Sequence, residues 1–160
     1  MSSSSTSASL ETVSPRGRRT LPIEKFFVAP EQDVRRENAL APGEIVSTVL
    51  IPAPAAGSRS VYKKLKEKES FDWPLAEACV NLVVSGGVVR EARIVLGAVS
   101  PTPRRAREAE ALMVGGNAGP ELAAKAAGAA LAGATPLAHN AYKVRLTKVM
   151  VERALREAMA

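Results

Sequence analysis

Apolar and polar residues alternate with a period of two over residues 59–68, 75–84 and 88–99. In the first stretch Val61, Lys63 and Leu65 fall on one side and Tyr62, Lys64 and Lys66 on the other. In the second, Ala76, Ala78, Val80, Leu82 and Val84 share a face; in the third, Ala92, Ile94, Leu96 and Ala98 do. Successive side chains of a strand point to opposite faces, so each stretch predicts a strand with one covered side. Residues 44–51 (EIVSTVLI) are β-rich and stop at Pro52, which predicts a strand before them. Ser85-Gly86-Gly87 reads as a tight hairpin turn. The expectation is four strands in a largely antiparallel sheet with one face covered.

The last third of the chain is helical. Thr102 as N-cap, with Pro103 at the first helical position, predicts a helix to about Val114 that pairs Arg104 with Glu108 and stops at Gly115-Gly116. Gly119-Pro120-Glu121 opens a second, alanine-rich helix that ends near Gly133. Its small side chains suit close packing rather than a deep core. Asn140 caps a third, running to Ala160. Its apolar stripe is Val144, Thr147, Val151, Ala154, Leu155 and Ala158, and Glu152 and Arg156 pair on its charged face. Strands followed by helices predict an α+β fold: an antiparallel β-sheet of about four strands packed on three C-terminal helices.

The chain before residue 44 is less regular. Residues 1–9 form a Ser-rich tail expected to be disordered, with neither the charged start nor the apolar core of a signal peptide. Residues 10–21 predict a hairpin: a strand at 10–13, a turn at Ser14-Pro15-Arg16-Gly17, and a return at 18–21. Residues 22–43, with Pro22, Pro30, Pro42 and Gly43, read as a linker with one helical turn near Ile23 to Phe27. Residues 44–160 are then the main domain.

Composition narrows the chemistry. The chain has 160 residues, 46% hydrophobic, which suits one domain. No apolar run reaches bilayer length, so no membrane span is expected. Aromatics are only 4%, so the core must come from Ala, Val and Leu. A single cysteine, Cys79, excludes an intrachain disulfide, and a single histidine, His139, leaves no Cys/His cluster for zinc. The net charge of +6 invites a nucleic-acid reading. Its arginines sit on separate segments (Arg16-Arg18-Arg19, Arg35-Arg36, Arg104-Arg105-Arg107) without an aromatic platform, which disfavours that partner.

Single motifs assign no catalytic residue. Gly115-Gly116 to Gly119 lies between two helices with no Lys-Ser/Thr after it, so a helix stop and start explains it. His139 precedes a helix and no Gly-x-Ser-x-Gly elbow exists, so capping or packing suits it better than general-base chemistry. Cys79 lies within a strand, on the face opposite the apolar one, and reads as packing. Glu67, Glu69, Asp72 and Glu77 interleave with Lys63, Lys64, Lys66 and Lys68, the pattern of a solvated edge.

The order of several short runs is more informative. They are Leu40-Ala41-Pro42-Gly43-Glu44-Ile45-Val46, Leu50-Ile51-Pro52, Ser58-Arg59-Ser60-Val61-Tyr62-Lys63-Lys64, Ser70-Phe71-Asp72-Trp73-Pro74, Gly86-Gly87 through Val99, and Pro101-Thr102-Pro103-Arg104-Arg105-Ala106. Asn140-Ala141-Tyr142-Lys143-Val144 and Val151-Glu152-Arg153-Ala154-Leu155 close the set. Over about residues 40–160 this set resembles the C-terminal domain of the FAD-binding (medium) subunit of molybdenum hydroxylases. That family includes the xanthine dehydrogenase, carbon monoxide dehydrogenase and aldehyde oxidoreductase complexes.

The resemblance implies an oxidoreductase component and cytoplasmic electron transfer. Electrons would pass from a molybdenum cofactor through iron–sulfur clusters to FAD and on to an acceptor. The molybdenum-binding large subunit and the iron–sulfur small subunit would be its partners and would hold those two groups. It also implies flavin-contacting positions: Val46 on the first strand, Lys63 on the second, and Ser70, Phe71 and Asp72 on the loop after it. Glu67-Lys68 departs from the paired basic step common in the family. No glycine-rich flavin loops precede residue 40, and residues 10–21 look like the last hairpin of a missing FAD-binding domain. The expectation is a chain that is inactive alone and does not hold FAD tightly alone. The alternative is a stand-alone interaction module of the same fold without cofactor. Neither the substrate nor the acceptor is legible in these residues.

Overall fold

The computed structural model describes residues 7–68 and 71–160. It divides into two units, Met1–Ala55 and Ala56–Ala160. Most of the Ser-rich tail lies outside the described residues.

In the first unit β1 (Ser9–Ser14) and β2 (Gly17–Pro22) form the expected hairpin, in register from Ser9↔Pro22 to Ser14↔Gly17. The Ser14 hydroxyl accepts the Arg16 N–H at 3.2 Å inside the turn. β3 (Ile45–Leu50) pairs with the other side of β1, giving the antiparallel order β2-β1-β3. This strand was expected in one sheet with the three later strands; it joins the hairpin instead. Alternation and β-propensity fix which side chains share a face, but not which strand lies alongside. A bulge at Ser47, where Glu11 faces Thr48 and Thr12 faces Val46, puts Val46 and Val49 on the side of Leu10 and Thr12.

Glu44, just before β3, ties this unit together. Its carboxylate accepts Arg19 Nε at 2.5 Å and Arg19 Nη2 at 2.7 Å. It also accepts the Thr12 hydroxyl at 2.5 Å and the Ala41 N–H at 2.8 Å. Thr12 is fully buried and Glu44 nearly so. The Arg19 guanidinium, then the Ala41 amide and the Thr12 hydroxyl, hold the Glu44 carboxyl down to about 2. The linker folds back on itself. It has a 3-10 turn at Ile23–Lys25, a bridge between Phe27 and Asn38, and an Ala39 N–H to Phe26 carbonyl bond of 2.8 Å. Phe26 and Phe27 pack edge to face with ring centres 5.2 Å apart.

The second unit is the predicted sheet-and-helix body. β4 (Ser58–Leu65), β5 (Ala76–Ser85), β6 (Val88–Gly97) and the two-residue β7 (Arg104–Arg105) form an antiparallel sheet in that order. Gly86 and Gly87, both at positive φ (61° and 74°), make the β5–β6 turn that a side chain would strain. Ala76, Ala78, Val80 and Leu82 are fully buried, as their alternation predicted. On β6 the period slips: a bulge opposite Val83/Val84 brings Val89 onto the covered face with Ala92, Ile94 and Leu96.

Three helices cover that face: α1 (Arg107–Met113), α2 (Pro120–Ala129) and α3 (Tyr142–Met159). The first starts later than the Thr102-Pro103 signal predicts. Arg104 and Arg105 pair with Leu96 and Val95 instead, so the Arg104–Glu108 pair does not form. Arg105 Nε binds Glu110 at 2.9 Å and 3.1 Å, and the Glu110 carboxylate accepts the Ile94 N–H at 2.9 Å. The groups on the outer edge of β6 need partners, and satisfying them outweighs one more helical turn. Ala123, Ala126 and Ala127 of α2 are fully buried. On α3 the buried stripe is Thr147, Met150, Val151, Ala154, Leu155 and Ala158, with predicted Val144 only half-buried, and Glu152 and Arg156 pair at 2.7 Å. The Asn140 side chain accepts the Leu137 N–H at 2.7 Å, so it closes the preceding turn rather than capping the helix.

Leu82→Ala should lower the stability of the second unit by about 2–5 kcal/mol in urea unfolding, because it empties a closed core position. Glu44 has an ordinary value of 4.5 and a folded value near 2, so its stabilisation is present above pH 4.5 and lost as pH falls through 2. Amide exchange at β1 and β3 should therefore speed up over that acid range, and Glu44→Gln should flatten the dependence.

Candidate functional site

The loop from β4 to β5 carries most of the residues implicated by sequence. It closes where the Leu75 N–H meets the Leu65 carbonyl at 2.8 Å. Phe71 and Trp73 hold their rings in solvent, at 109% and 92% exposure, with half-buried Asp72 between them. Ser70 lies outside the described residues. Large aromatic side chains left uncovered on a short loop are a surface that a partner or ligand can cover.

Lys63 sits two residues before the end of β4, on the side of Val61 and Leu65. Its amine pairs with the Glu157 carboxylate of α3. That ion pair bridges sheet and helix at a partly exposed position. Val46 belongs to the other unit, on β3, where it is about one-third exposed. The structure thus groups Lys63, Phe71 and Asp72 in one unit and puts Val46 in the other.

The uncovered face of the four-stranded sheet has its own polar pair. The Tyr62 hydroxyl donates to Glu77 Oε1 at 2.6 Å across the β4–β5 pairing. Accepting that proton in a hydrogen bond, the Glu77 carboxylate pushes the phenol up to about 12, helped by partial burial. Glu77 lies over Gly97, its partner on β6, where a Cβ would overlap its carboxylate. Next to it, Ala98 takes a left-handed conformation at φ 59°, and its carbonyl receives Lys143 Nζ at 2.6 Å. The Ser100 hydroxyl donates to the Thr102 carbonyl just beyond.

Cys79 is exposed on this face and partial burial raises its thiol pKa, so it is not an activated nucleophile. His139 is exposed as well, which removes the packing role expected of it. Among the described residues no group of His, Cys, Asp or Glu could hold a metal ion. Sequence reasoning missed the exposure of Trp73 and the Tyr62–Glu77–Gly97 arrangement. The first has no signal in hydropathy, since an indole reads as core. The second exists only once the strand register sets Glu77 between Tyr62 and Gly97.

The second unit is an antiparallel sheet backed by three helices, with bare aromatic rings on one connecting loop. Residues 60–158 match the family model of the CO dehydrogenase flavoprotein C-terminal domain, and the chain belongs to that family. It is 35% identical over 150 residues to the carbon monoxide dehydrogenase medium chain of Hydrogenophaga pseudoflava, covering 91% of this chain and 50% of that one. It is 29% identical over 154 residues to the aldehyde oxidoreductase FAD-binding subunit PaoB of Escherichia coli (strain K12), covering 96% of this chain and 45% of that one. The solved structure of the Hydrogenophaga pseudoflava carbon monoxide dehydrogenase lacking the Mo-pyranopterin moiety superposes with a TM-score of 0.85 at 36% identity. It covers 96% of this chain and 53% of that one. The similarity therefore reaches beyond residues 40–160 into the hairpin and linker. The chain spans about half the length of the curated relatives it matches.

Gly97→Ala should push the Glu77 carboxylate aside and release Tyr62. Ultraviolet titration of the two tyrosines should then show one moving from about 12 toward the ordinary value of 10. A titration unchanged from the parent chain would show that Glu77 does not depend on the missing side chain.

Proposed function

We propose that this chain is the C-terminal part of the FAD-binding subunit of a molybdenum hydroxylase-type oxidoreductase, and that it covers one side of the flavin. The observation that carries this reading is the pair of bare rings, Phe71 and Trp73, on the β4–β5 loop of a chain aligned over nearly all its length with FAD-binding subunits. An isoalloxazine is a flat apolar ring system with a polar edge, and aromatic faces beside a carboxylate and a lysine suit such a surface. Phe71 would lie against the ring, with Asp72 at its polar edge. Lys63 would add positive charge when it exchanges Glu157 for the cofactor.

The body of the dinucleotide needs a larger site. The cleft between β4, β5 and the end of α3, lined by Gly57, Arg59, Leu82 and Ala158, holds only about 170 Å³. Pockets that enclose ligands of drug size run to roughly 300–1,000 Å³. This agrees with a flavin held mainly by the half of the relatives' length that the chain does not span. Bound FAD would collect single electrons from iron–sulfur clusters and pass them on to an external acceptor. A molybdenum-binding large subunit and an iron–sulfur small subunit would be the partners in the cytoplasm. Among the described residues no helix is long and apolar enough to cross a membrane. Alone, the chain would turn nothing over.

The test is reconstitution with the unmatched part of the Hydrogenophaga pseudoflava medium chain, reading FAD retained after gel filtration. FAD should stay with the two-part assembly and with neither part alone to the same extent. Phe71→Ala and Trp73→Ala should each raise the FAD Kd about 2- to 10-fold, the equivalent of losing one aromatic contact, without moving the unfolding midpoint. An assembly that forms fully but retains no flavin would overturn the flavin role and leave an interaction module of the same fold.

A further inference from the structure

The two acids of α3 take different partners. Glu152 stays on its own helix and pairs with Arg156 one turn on. Glu157 has Arg153 one turn behind it, at a spacing where helical side chains meet. It reaches off the helix instead, to the Lys63 amine on β4. No local pattern joins these two residues. They meet because α3 packs on β4 and β5.

Lys63 leaves β4 on the covered side, with half-buried Val61 and Leu65, while exposed Tyr62 and Lys64 alternate with it on the open side. The strand ends two residues later at Leu65, and the loop that carries Phe71 and Trp73 follows. Two residues of strand cover roughly 6.6 Å, a distance that a flexible four-carbon stem can swing through. The amine can therefore turn from the helix toward the foot of the loop with no change in the backbone. An ion pair as exposed as this one adds little to stability. Its larger effect is on charge. Held by Glu157, the amine belongs to a neutral pair; released, it is a full positive charge.

We infer that Glu157 is a positioning residue: it competes with the flavin for Lys63 and so sets how much positive charge the loop presents to the ring. The inference rests on the proposed flavin contact of Lys63 and adds to it a residue on the last helix. Reduction to the anionic form gives the ring a full negative charge, so a nearby cation favours reduced over oxidised FAD. A carboxylate that retains the cation damps that preference. Glu157 acts here only through the lysine, and its own carboxylate needs no contact with the cofactor.

Two measurements test this. The first uses the full chain without flavin. Its lysines are acylated with a small amine-reactive ester, and labelling of Lys63 is read by mass spectrometry against exposed Lys64 on the same strand. Glu157→Gln should raise the Lys63-to-Lys64 ratio about 2- to 5-fold, the release expected of one partly exposed ion pair. Should that variant lose its fold, the same ratio on the parent chain in high against low salt replaces it, since salt screens an exposed pair. The second uses the FAD-loaded assembly with the unmatched part of the Hydrogenophaga pseudoflava medium chain. Glu157→Gln should tighten reduced FAD about 2- to 5-fold more than oxidised FAD, read as a rise in reduction potential. Lys63→Met should move the potential the other way, and adding Glu157→Gln to it should change nothing more. An unchanged labelling ratio overturns the inference. So does an unchanged potential in an assembly that retains FAD, which leaves the flavin reading standing. A double variant whose potential still rises overturns it in favour of a direct effect of Glu157 on the flavin. An assembly that forms fully but holds no flavin overturns the flavin reading and this inference with it.

Discussion

Small side chains make the core of the second unit, and its architecture depends on how closely backbones can therefore approach. Ala76 and Ala78 on β5, Ala123, Ala126 and Ala127 on α2, and Ala154 and Ala158 on α3 are buried together with a few leucines and valines. Alanine fills little space, so the area removed from water must come from close contact between elements rather than from large rings filling gaps. Close contact leaves no room for water. Every backbone group at the margin of the sheet then needs a protein partner. This accounts for the density of bonds along β6, where loop amides, a two-residue strand and the Glu110 carboxylate share one edge.

The same requirement shapes the first unit by other means. That sheet has three strands and little apolar cover, and a carboxylate does the work of a core. Glu44 collects donors from β1, β2 and the linker at once, and Arg19 adds a bond to the Ala39 carbonyl at 2.9 Å. A carboxylate with that many donors stays ionised far below its ordinary range, which is why the linker folds back on the sheet and is not a free tether. The unit remains apolar and exposed along β3.

Two large aromatics of this chain stand where the core does not use them. Phe71 and Trp73 are withheld from packing, although the chain has few aromatic residues to spare. Their loop leaves β4 beyond Lys63, whose charge is already matched by Glu157, and enters β5 beside the Tyr62–Glu77 pair. Rigid strands on both sides fix where the rings emerge.

The residues alone determined the α+β class, the hairpin, the faces of β5 and β6, the stripe of α3 and the collinear runs that mark the family. Each of these is local, because periodicity and turn chemistry are carried by neighbours in the chain. Three things were decided by tertiary structure. β3 went to the hairpin sheet, Arg104 and Arg105 became strand rather than helix, and Val89 replaced the next residue in phase through a bulge. In each case a neighbouring strand offered hydrogen-bond partners or a register that the local pattern could not weigh, whereas Asn140 turned back to Leu137 within its own turn. The candidate site divides along the same line. Its residue types were readable in order, but the exposure of Trp73, the partner of Lys63 and the meeting of Tyr62, Glu77 and Gly97 exist only where strands and helices lie side by side.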